Sequence, residues 1–373
     1  MSGAAHAVAL VPAAGSGSAL WRAALEGLAR RDVYWRPEYA ALYAGSETGE
    51  AAAFVTHGAG LGTVVHPVLV RDITALPWAS GLRVHGSPWR DLATPYGYGG
   101  PLGSEEEPAA RAAQLAAFEE ARGALCLELG IVSEFVRFHP LLCTHEGLPE
   151  AMRLQRRGET IWLELPAPGA GDAEEALLRA MQPAARNKIR RARAAGAAAA
   201  VEPGTEAAGV LHALYRETMT ALDAPADYFF PRSYFETIAA LPEERAFVVI
   251  VRHEGRAVWA GIFLREGELL HYHLSGSGGG PRVTGANNLA LLAAALEGRA
   301  RGARRFHLGG GFGSREDSLF QFKASVGDRR AEFWTGARIH DPGRYDALRA
   351  LRSGAAGAAP AGTGDYFPAY RAP

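Results

Sequence analysis

Short apolar runs separated by polar turns dominate the second half of the chain. Three consecutive runs are rich in β-branched and aromatic residues and are joined by glycine-containing turns, which predicts an antiparallel meander at 245–252, 256–265 and 269–276. A helix rich in alanine and leucine, a strand, a short helix and a last strand are predicted to follow, at 286–303, 304–310, 314–327 and 331–339. The predicted order is therefore β-β-β-α-β-α-β.

The junction before the short helix contains three consecutive glycines, Gly309 to Gly311. They form neither a GxxxxGK[ST] nor a GxGxxG motif, so they predict a tight strand-to-helix corner that lets a substrate approach the backbone, rather than a phosphate loop. Ser314 is the predicted N-cap of the helix, with Asp317 three positions on, as in a capping box.

The short helix carries a single lysine, Lys323. Leu319, Phe322 and Val326 stand three or four positions apart, which predicts an apolar stripe that faces the sheet. Lys323 lies one step from this stripe. A lysine in that position is either a surface residue whose aliphatic stem packs on apolar neighbours or a functional cation, and the pattern alone leaves both open.

The first half repeats the same series less regularly. Two apolar runs, a helix and a strand are predicted at 51–58, 62–73, 107–125 and 133–140. The repeat predicts an α/β protein of two tandem units, each a mostly antiparallel mixed sheet flanked by helices. Because the segment 166–175 is rich in Pro, Gly and acidic residues, we expect the boundary there, which gives units at 1–165 and 176–353 and a tail at 354–373.

Composition and charge limit the classes of protein to which the chain can belong. The 39 basic and 40 acidic residues give a formal net charge of −1, which excludes a chain dominated by non-specific nucleic-acid binding but leaves a local basic patch open. Two cysteines outside any paired spacing indicate a reducing, cytoplasmic protein. Neither a secretory signal nor a run of ~18 apolar residues is present, so no membrane span is expected. Cys143, His145 and Glu146 offer ligand atoms without a recognised spacing, so no metal site is predicted.

Several segments, taken in their order along the chain, carry a resemblance to a known family. They are DLATPYGYGGPL (91–102), EFVRFHPL (134–141), YRETM (215–219), DYFFPRSYF (227–235), YHLSGS (272–277), and FHLGGG followed by FQFKASVG. Over roughly residues 30–335 the chain resembles the FemABX peptidyltransferases of the GNAT acyltransferase superfamily, which consist of two GNAT-like domains in tandem.

The resemblance implies an enzyme that forms an amide by transferring an aminoacyl group to an amine. The expected donor is aminoacyl-tRNA, used as a co-substrate, and no resident cofactor is expected. The expected acceptor is a small natural-product metabolite or a peptidoglycan precursor. The active cleft is expected mostly in the second domain, where Lys323, preceded by Phe322, would stabilise the oxyanion of the reacting ester.

A basic segment at 186–196 is a second candidate site. Its arginines at positions 186, 190 and 193 recur at helical spacing, which usually indicates a solvated face. In the family, an arginine from the equivalent stretch binds substrate phosphate. The resemblance therefore implies that Arg186 and Lys188 contact an anionic ligand.

Aromatic residues supply the remaining substrate-site candidates. The loop 91–102 combines glycines, prolines and tyrosines, and loops with rigid aromatic side chains frequently line pockets. We predict acceptor contacts from this loop at Asp91, Tyr96 and Tyr98; the alternative is a packed loop with no such role. Tyr228 either borders the cleft or belongs to the core.

Tyr272 and His273 lie on the strand where acyl donors bind in GNAT folds. Strict alternation places His271 and His273 on one face of this strand and Tyr272 on the other. His273 is then either a general base or a structural histidine. If it is structural, the acceptor amine loses its proton to substrate or water.

A rival enzyme class is an acyl-CoA-dependent N-acyltransferase. The segment PRVTGAN resembles the GNAT pyrophosphate loop, with Arg282 and Gly285 at the matching positions, although Asn287 departs from the pattern. A non-catalytic binding or assembly protein of the same fold is a third hypothesis.

Overall fold

The computed structural model describes residues 7–44, 49–57, 61–79, 82–84, 87–169, 171–278, 280, 283–355 and 366–372. The strands are β1 Ala7–Pro12, β2 Gly49–His57, β3 Val64–Asp72, β4 Arg83–Val84, β5 Ser87–Pro88, β6 Arg90–Ala93, β7 Leu102–Gly103, β8 Ile131–Arg137, β9 Arg153–Glu164, β10 Ala198–Glu202, β11 Ala246–His253, β12 Arg256–Glu266, β13 Leu269–Ser277, β14 Arg305–Gly309 and β15 Arg329–Ile339. The α-helices are α1 Gly15–Glu26, α2 Pro37–Ala41, α3 Pro108–Glu128, α4 Ala173–Ala180, α5 Pro183–Ala194, α6 Gly204–Ala221, α7 Arg232–Ala239, α8 Ala286–Ala300, α9 Ser318–Val326 and α10 Pro342–Ala355.

The chain divides into two compact units. The first comprises Met1–Arg157 together with Phe333–Pro373, and the second comprises Gly158–Glu332. These bounds differ from the predicted ones because the chain passes from one unit to the other inside the long strands β9 and β15, rather than in the linker-like segment 166–175. Residues 356–365 of the predicted tail lie outside the described residues.

The second unit is an α/β unit with one mixed sheet. Its strand order is β10-β11-β12-β13-β14-β9, and every neighbouring pair is antiparallel except β13 and β14, which are parallel. The predicted meander forms β11 to β13, and the predicted alanine- and leucine-rich helix forms α8. Apolar residues of α8 pack with those of β11, β12 and β14 in a single buried core, which includes Trp259, Phe263, Leu289 and Phe306.

The first unit repeats this arrangement. Its strands follow the order β1-β2-β3-β6-β8-β15, again antiparallel except for one parallel pair, β6 and β8. In both units a strand, two helices and further strands lead to a helix that precedes the parallel strand, β8 or β14. The predicted α/β class, with mostly antiparallel mixed sheets flanked by helices, is confirmed.

A buried ionic cluster lies in the first unit. Arg122 donates to Glu119 at 2.7 Å and to Glu134 at 2.8 Å, and His66 Nε2 lies 2.6 Å from Glu134. Burial alone would raise the pKa of Glu134, but the Arg122 charge and hydrogen bonds from His340 and His66 hold this pKa well below its usual range. Glu134 is therefore an ionised carboxylate inside the unit.

Candidate active site

The glycine corner connects β14 to α9 in the second unit. Gly309 has a φ of 78°, which favours glycine, and a side chain on Gly310 would bring its Cβ within 2.9 Å of the Glu159 carbonyl oxygen. Asp317 holds the corner closed, because it accepts the backbone N–H groups of Phe312 and Phe320, each at 2.9 Å. The N-cap of the helix is thus Asp317, not the predicted Ser314.

Lys323 faces the interior of the second unit. The buried side chains of α9 are Phe320, Lys323 and Val326, whereas Leu319 from the predicted stripe is 42% exposed. The helix is therefore rotated from the predicted orientation. This rotation brings Lys323, 8% exposed, onto the buried side.

The Lys323 ammonium sits between the corner and strand β13. Its Nζ donates to the carbonyl oxygen of Gly310 at 2.7 Å and lies 5.8 Å from the centroid of the Tyr272 ring. Burial lowers the pKa of Lys323 to about 8, an effect opposed by the charge of Asp317. The side chain remains mostly protonated at neutral pH, so it is a cation held in a dry environment, where its electrostatic effect on a reacting group is strong.

Tyr272 forms one wall of the Lys323 environment. Its ring stacks on Phe263 at 5.7 Å between centroids, and its hydroxyl hydrogen-bonds to Ser275. Burial raises the pKa of Tyr272 to about 12, so the phenol is neutral at physiological pH. Phe322, which directly precedes Lys323 on α9, is half-buried and packs against the core of this unit.

His273 lies at a β-bulge. Ile262 pairs with Leu274 and Phe263 pairs with Tyr272, so the register shifts at His273 and interrupts the predicted alternation. Its Nε2 lies 2.7 Å from the Tyr234 hydroxyl. Burial, and secondarily the nearby His271, lower the pKa of His273 to about 3. A neutral imidazole of such low basicity is a poor general base, so this placement favours the structural alternative.

Arg186 is engaged at the end of helix α4. Its guanidinium donates to the carbonyl oxygens of Leu178, Arg179 and Met181 at 3.3, 3.4 and 2.9 Å, which satisfies acceptors that a helix C-terminus leaves open. This placement does not support the predicted phosphate contact by Arg186. Lys188, on the same helix α5, is exposed.

The acceptor-site candidates of the loop 91–102 lie in the first unit. Asp91 is fully buried, where Arg71 and Arg371 donate to its two oxygens at 2.7 and 2.6 Å and the Tyr370 hydroxyl donates at 2.9 Å. Both carboxylate oxygens are therefore occupied by partners within the unit. This arrangement anchors the segment 366–372 and does not support direct contact between Asp91 and a substrate.

Tyr96 and Tyr98 are half-buried in the same unit. The Tyr96 ring stacks on Tyr43 at 6.0 Å and lies 5.7 Å from the Arg137 guanidinium. Tyr98 makes an edge contact with Tyr34 at 5.6 Å, and burial raises the pKa of its hydroxyl. These contacts form an aromatic cluster with a cation beside it.

The coenzyme A candidates flank helix α8. Arg282 lies outside the described residues. Gly285 is the N-cap of α8 with a φ of 92°, and a Cβ there would overlap the carbonyl oxygen of Lys188. Gly285 therefore allows α5 and α8 to pack closely.

Replacing Gly285 by alanine tests this packing. We expect Gly285→Ala to lower the free energy of unfolding by about 2 kcal/mol more than Gly267→Ala, since overpacking adds to the backbone strain. Gly267 is the matched control because it also has a positive φ, 53°, but a Cβ there meets nothing within 4 Å. Urea unfolding of both variants measures the difference, and equal losses would contradict the close packing.

Two features of the site were missed from sequence. The capping-box pattern predicts Asp317 only as the residue three positions after the cap, yet Asp317 is the N-cap and also fixes the corner. The resemblance assigns no role to Phe312, although its ring lies 6.5 Å from that of Tyr228, one of the predicted cleft residues. A phenylalanine inside a polar, glycine-rich corner was the available signal.

Comparison with known proteins places this geometry in a fold family. Residues 183–323 match the family described as Acetyltransferase (GNAT) domain, so the match ends at Lys323. The solved structure of FemX has a TM-score of 0.65 at 12% identity and covers 88% of this chain and 98% of its own. No curated protein matches the sequence significantly.

Two further solved structures are similar at lower scores. The C-terminal domain of a putative lysylphosphatidylglycerol synthetase from Agrobacterium fabrum has a TM-score of 0.48 at 15% identity and covers 91% of this chain and 96% of its own. The L-PGS structure from Bacillus licheniformis also has a TM-score of 0.48, at 14% identity, covering 90% of this chain and 96% of its own.

Of these three structures, FemX alone has a TM-score above 0.5, and the fold assignment rests on it. In the part of the chain that the structure describes, no helix is long and apolar enough to cross a membrane. The family match is to a GNAT acetyltransferase domain within the second unit, and the FemX likeness shows the fold of the chain. The chain therefore has the FemX-like GNAT fold that the sequence resemblance predicted.

Proposed function

We propose that the protein transfers an aminoacyl group from aminoacyl-tRNA to the amine of a small metabolite or a peptidoglycan precursor. The observation that supports this most directly is the buried Lys323 ammonium beside the glycine corner. An ester that becomes an amide passes through a tetrahedral oxyanion, and a cation already fixed in a dry site stabilises that charge without reorganisation.

The reaction needs no redox partner and no covalent enzyme intermediate. The amine nitrogen attacks the ester carbonyl carbon, the C–N bond forms, and the carbonyl oxygen becomes an oxyanion. Collapse of the intermediate breaks the ester C–O bond and releases the tRNA 3′-terminal ribose hydroxyl. The proton lost by the amine balances the proton gained by that hydroxyl.

Lys323 would act on the oxyanion. An ammonium has three N–H donors, and among the described residues Nζ makes one hydrogen bond, to Gly310. The donors that remain are available to the oxyanion. The hydrogen bond to Gly310 fixes the position of the cation at the corner, so less ordering is required during the reaction.

The pH dependence of turnover provides one test. Because the pKa of Lys323 is lowered to about 8, the ammonium is lost as pH rises through 8, and we expect kcat/KM to fall in that range. The assay uses an acceptor whose amine is already neutral at neutral pH, so that titration of the acceptor does not contribute to the pH profile. In Lys323→Arg the guanidinium stays charged, so any residual activity should lack this fall. An alkaline fall that persists unchanged in Lys323→Arg would contradict the assignment to Lys323.

The other predicted contacts contribute unequally to this proposal. Lys188 is exposed on α5 and is the candidate for contact with a phosphate of the donor or acceptor. Tyr96 and Tyr98 are candidates for acceptor contacts, because their aromatic cluster lies beside the Arg137 cation. Arg186 and Asp91 would act by holding α4 and the segment 366–372 in place.

The second candidate function is acyl-CoA-dependent N-acylation. It is favoured by the family description, Acetyltransferase (GNAT) domain, and by the N-terminus of α8, which has no side-chain cap. An uncapped helix N-terminus attracts anions such as a diphosphate.

One experiment separates the two donors. The protein is incubated with total charged tRNA and candidate amines, and product masses are read with and without prior ribonuclease treatment. Ribonuclease-sensitive formation of an aminoacylated amine supports the proposal. Turnover that survives ribonuclease and requires a coenzyme A thioester would replace it with the second candidate.

A further inference from the structure

Phe312 is exposed at a position where the backbone is fixed. It is 55% exposed, the most exposed phenylalanine among the described residues. Its N–H is bound to Asp317 at 2.9 Å, and the same carboxylate caps α9 at Phe320. A single exposed apolar residue is common on protein surfaces and needs no explanation by itself. Here, however, the ring is presented by a corner whose geometry is held by hydrogen bonds.

A second aromatic ring and a cation lie beside Phe312. The Tyr228 ring centroid is 6.5 Å away, with 44° between the ring planes, and the Tyr215 hydroxyl donates to the Tyr228 carbonyl at 2.8 Å. The Arg315 guanidinium lies 5.7 Å from the Phe312 ring centroid. Arg315 is exposed, and its Nε donates to the carbonyl oxygen of Phe312 at 3.4 Å. The surface thus combines two aromatic faces with a positive charge.

Neighbouring acidic groups form no ion pair with Arg315 in the part of the chain that the structure describes, although the Arg315 charge also acts on Asp317. Both oxygens of Asp317 accept backbone N–H groups of the corner and helix. Glu316 pairs with Arg330 at 3.1 Å. Arg315 is therefore the charged group best placed to meet an anion beside the Phe312 ring.

The aromatic surface adjoins Lys323. The Gly310 carbonyl that accepts the Lys323 hydrogen bond belongs to the residue two positions before Phe312. Two residues of chain span at most about 7 Å, so the Phe312 backbone lies close to the reacting position. A short ligand can therefore contact both Phe312 and Lys323.

We propose that Phe312, Tyr228 and Arg315 form a binding site for an adenine nucleotide, next to Lys323. The base stacks on Phe312 with Tyr228 at its side, and Arg315 contacts a phosphate. Aromatic side chains stack on any base, and arginine matches phosphate geometry. This inference rests on the proposed function for its biological role, because an adenosine that carries the reacting ester would be held by its base while Lys323 meets the carbonyl.

Two donors contain the same ligand chemistry. The 3′-terminal adenosine of tRNA and the adenosine phosphate of coenzyme A each offer an adenine ring and phosphate. An apolar amino-acid side chain would also contact Phe312, but it would leave Arg315 without a role. The test therefore measures dependence on both the base and the phosphate.

Binding of adenosine 5′-monophosphate to the full chain is the first measurement. We expect Phe312→Ala to weaken this binding at least fivefold and Phe312→Tyr to preserve it, since stacking is the main contribution. Ribose 5-phosphate should bind the unaltered protein more weakly than adenosine 5′-monophosphate does. Its affinity should be the same for the unaltered protein and Phe312→Ala. Leu319→Ala is the matched control, an exposed apolar residue of α9 that is expected to leave nucleotide binding unchanged.

Equal binding of the nucleotide by the unaltered protein and Phe312→Ala would overturn the proposal. So would equal binding of adenosine 5′-monophosphate and ribose 5-phosphate. A loss of binding in Leu319→Ala as large as in Phe312→Ala would also overturn it, since the effect would then not be specific to stacking.

A transfer assay separates this inference from the proposed function. Donors are an aminoacyl dinucleotide ending in adenosine, its abasic counterpart, and an acyl-coenzyme A. If Phe312→Ala raises the KM for the adenosine-terminated donor but not for the abasic donor, the result supports the site and assigns it to RNA. If Phe312→Ala raises only the KM for acyl-coenzyme A, the result supports the site and assigns it to coenzyme A. Phe312-dependent nucleotide binding without turnover of any donor supports the site but contradicts the proposed function. Turnover whose KM is independent of Phe312 leaves the proposed function standing and overturns the site.

Discussion

Replacing Lys323 by methionine is expected to lower turnover at least a hundredfold while the protein remains folded. Methionine has a similar length and is accommodated in irregular buried spaces, so the change removes the charge with little change in volume. Losing a preorganised group that stabilises an oxyanion costs roughly 3 kcal/mol of transition-state stabilisation, which corresponds to about a hundredfold in rate. Steady-state kinetics with whichever donor the ribonuclease experiment selects provides the measurement.

The same variant is expected to be at least as stable as the unaltered protein at neutral pH. Burial lowers the folded-state pKa of Lys323 to about 8 from a usual value of 10.5. Between these two pH values the unfolded chain binds more protons than the folded one, so stability rises with pH. Below pH 8 the full cost of burying the ammonium is present, and methionine removes it.

Urea unfolding at neutral and alkaline pH checks the stability of Lys323→Met. The unaltered protein should gain stability from Lys323 between pH 8 and 10.5, and the variant should lack that contribution. Lys188→Met is the matched control because Lys188 is exposed, and it should not change the pH dependence of stability. Turnover of Lys323→Met within a few-fold of normal would remove this lysine from the chemistry.

The second large effect is expected from Arg122→Ala in the first unit. Arg122 is 0% exposed and binds both Glu119 and Glu134. Removing Arg122 takes the guanidinium away from both carboxylates: Glu134 keeps hydrogen bonds from His66 and His340, and Glu119 keeps its contact with Arg338. Loss of a buried ion-pair partner costs about 3–5 kcal/mol. We expect the free energy of unfolding to fall by that amount, as measured by urea denaturation.

An exposed ion pair gives the control for Arg122. Arg330 contacts Glu159 at 2.6 Å and Glu316 at 3.1 Å, and its side chain is about half exposed. Solvent-exposed pairs contribute about 0–1 kcal/mol, so Arg330→Ala should have a small effect. Comparable losses in the two variants would show that burial does not determine the cost of losing the arginine.

Local sequence patterns predicted most of the second unit. The runs predicted at 245–252, 256–265 and 269–276 correspond to the strands Ala246–His253, Arg256–Glu266 and Leu269–Ser277. The prediction succeeded because strand alternation, turn glycines and helix propensity act between residues close in sequence. The order of these segments also predicted the FemX-like GNAT fold.

The partners of charged side chains were not predictable in this way. Asp91 binds Arg371, which is 280 positions away in sequence, and a loop composition cannot indicate such a partner. Helical spacing predicts Arg186 on a basic face, yet its guanidinium donates to the carbonyl oxygens that end α4. In both cases the local pattern identified an available charge, whereas the packing of a separate element decided which groups it contacts.

The sequence by itself determined the strands of the meander, the helix before the parallel strand, the glycine corner, and the presence of one lysine just after it. Only the tertiary structure decided which way that lysine points. An Asp317 cap set the start and rotation of α9, and packing against the sheet then selected Phe320, Lys323 and Val326 as its buried side. The reason is physical: periodicity limits which residues share a face, but the surface against which a helix packs decides which face is buried.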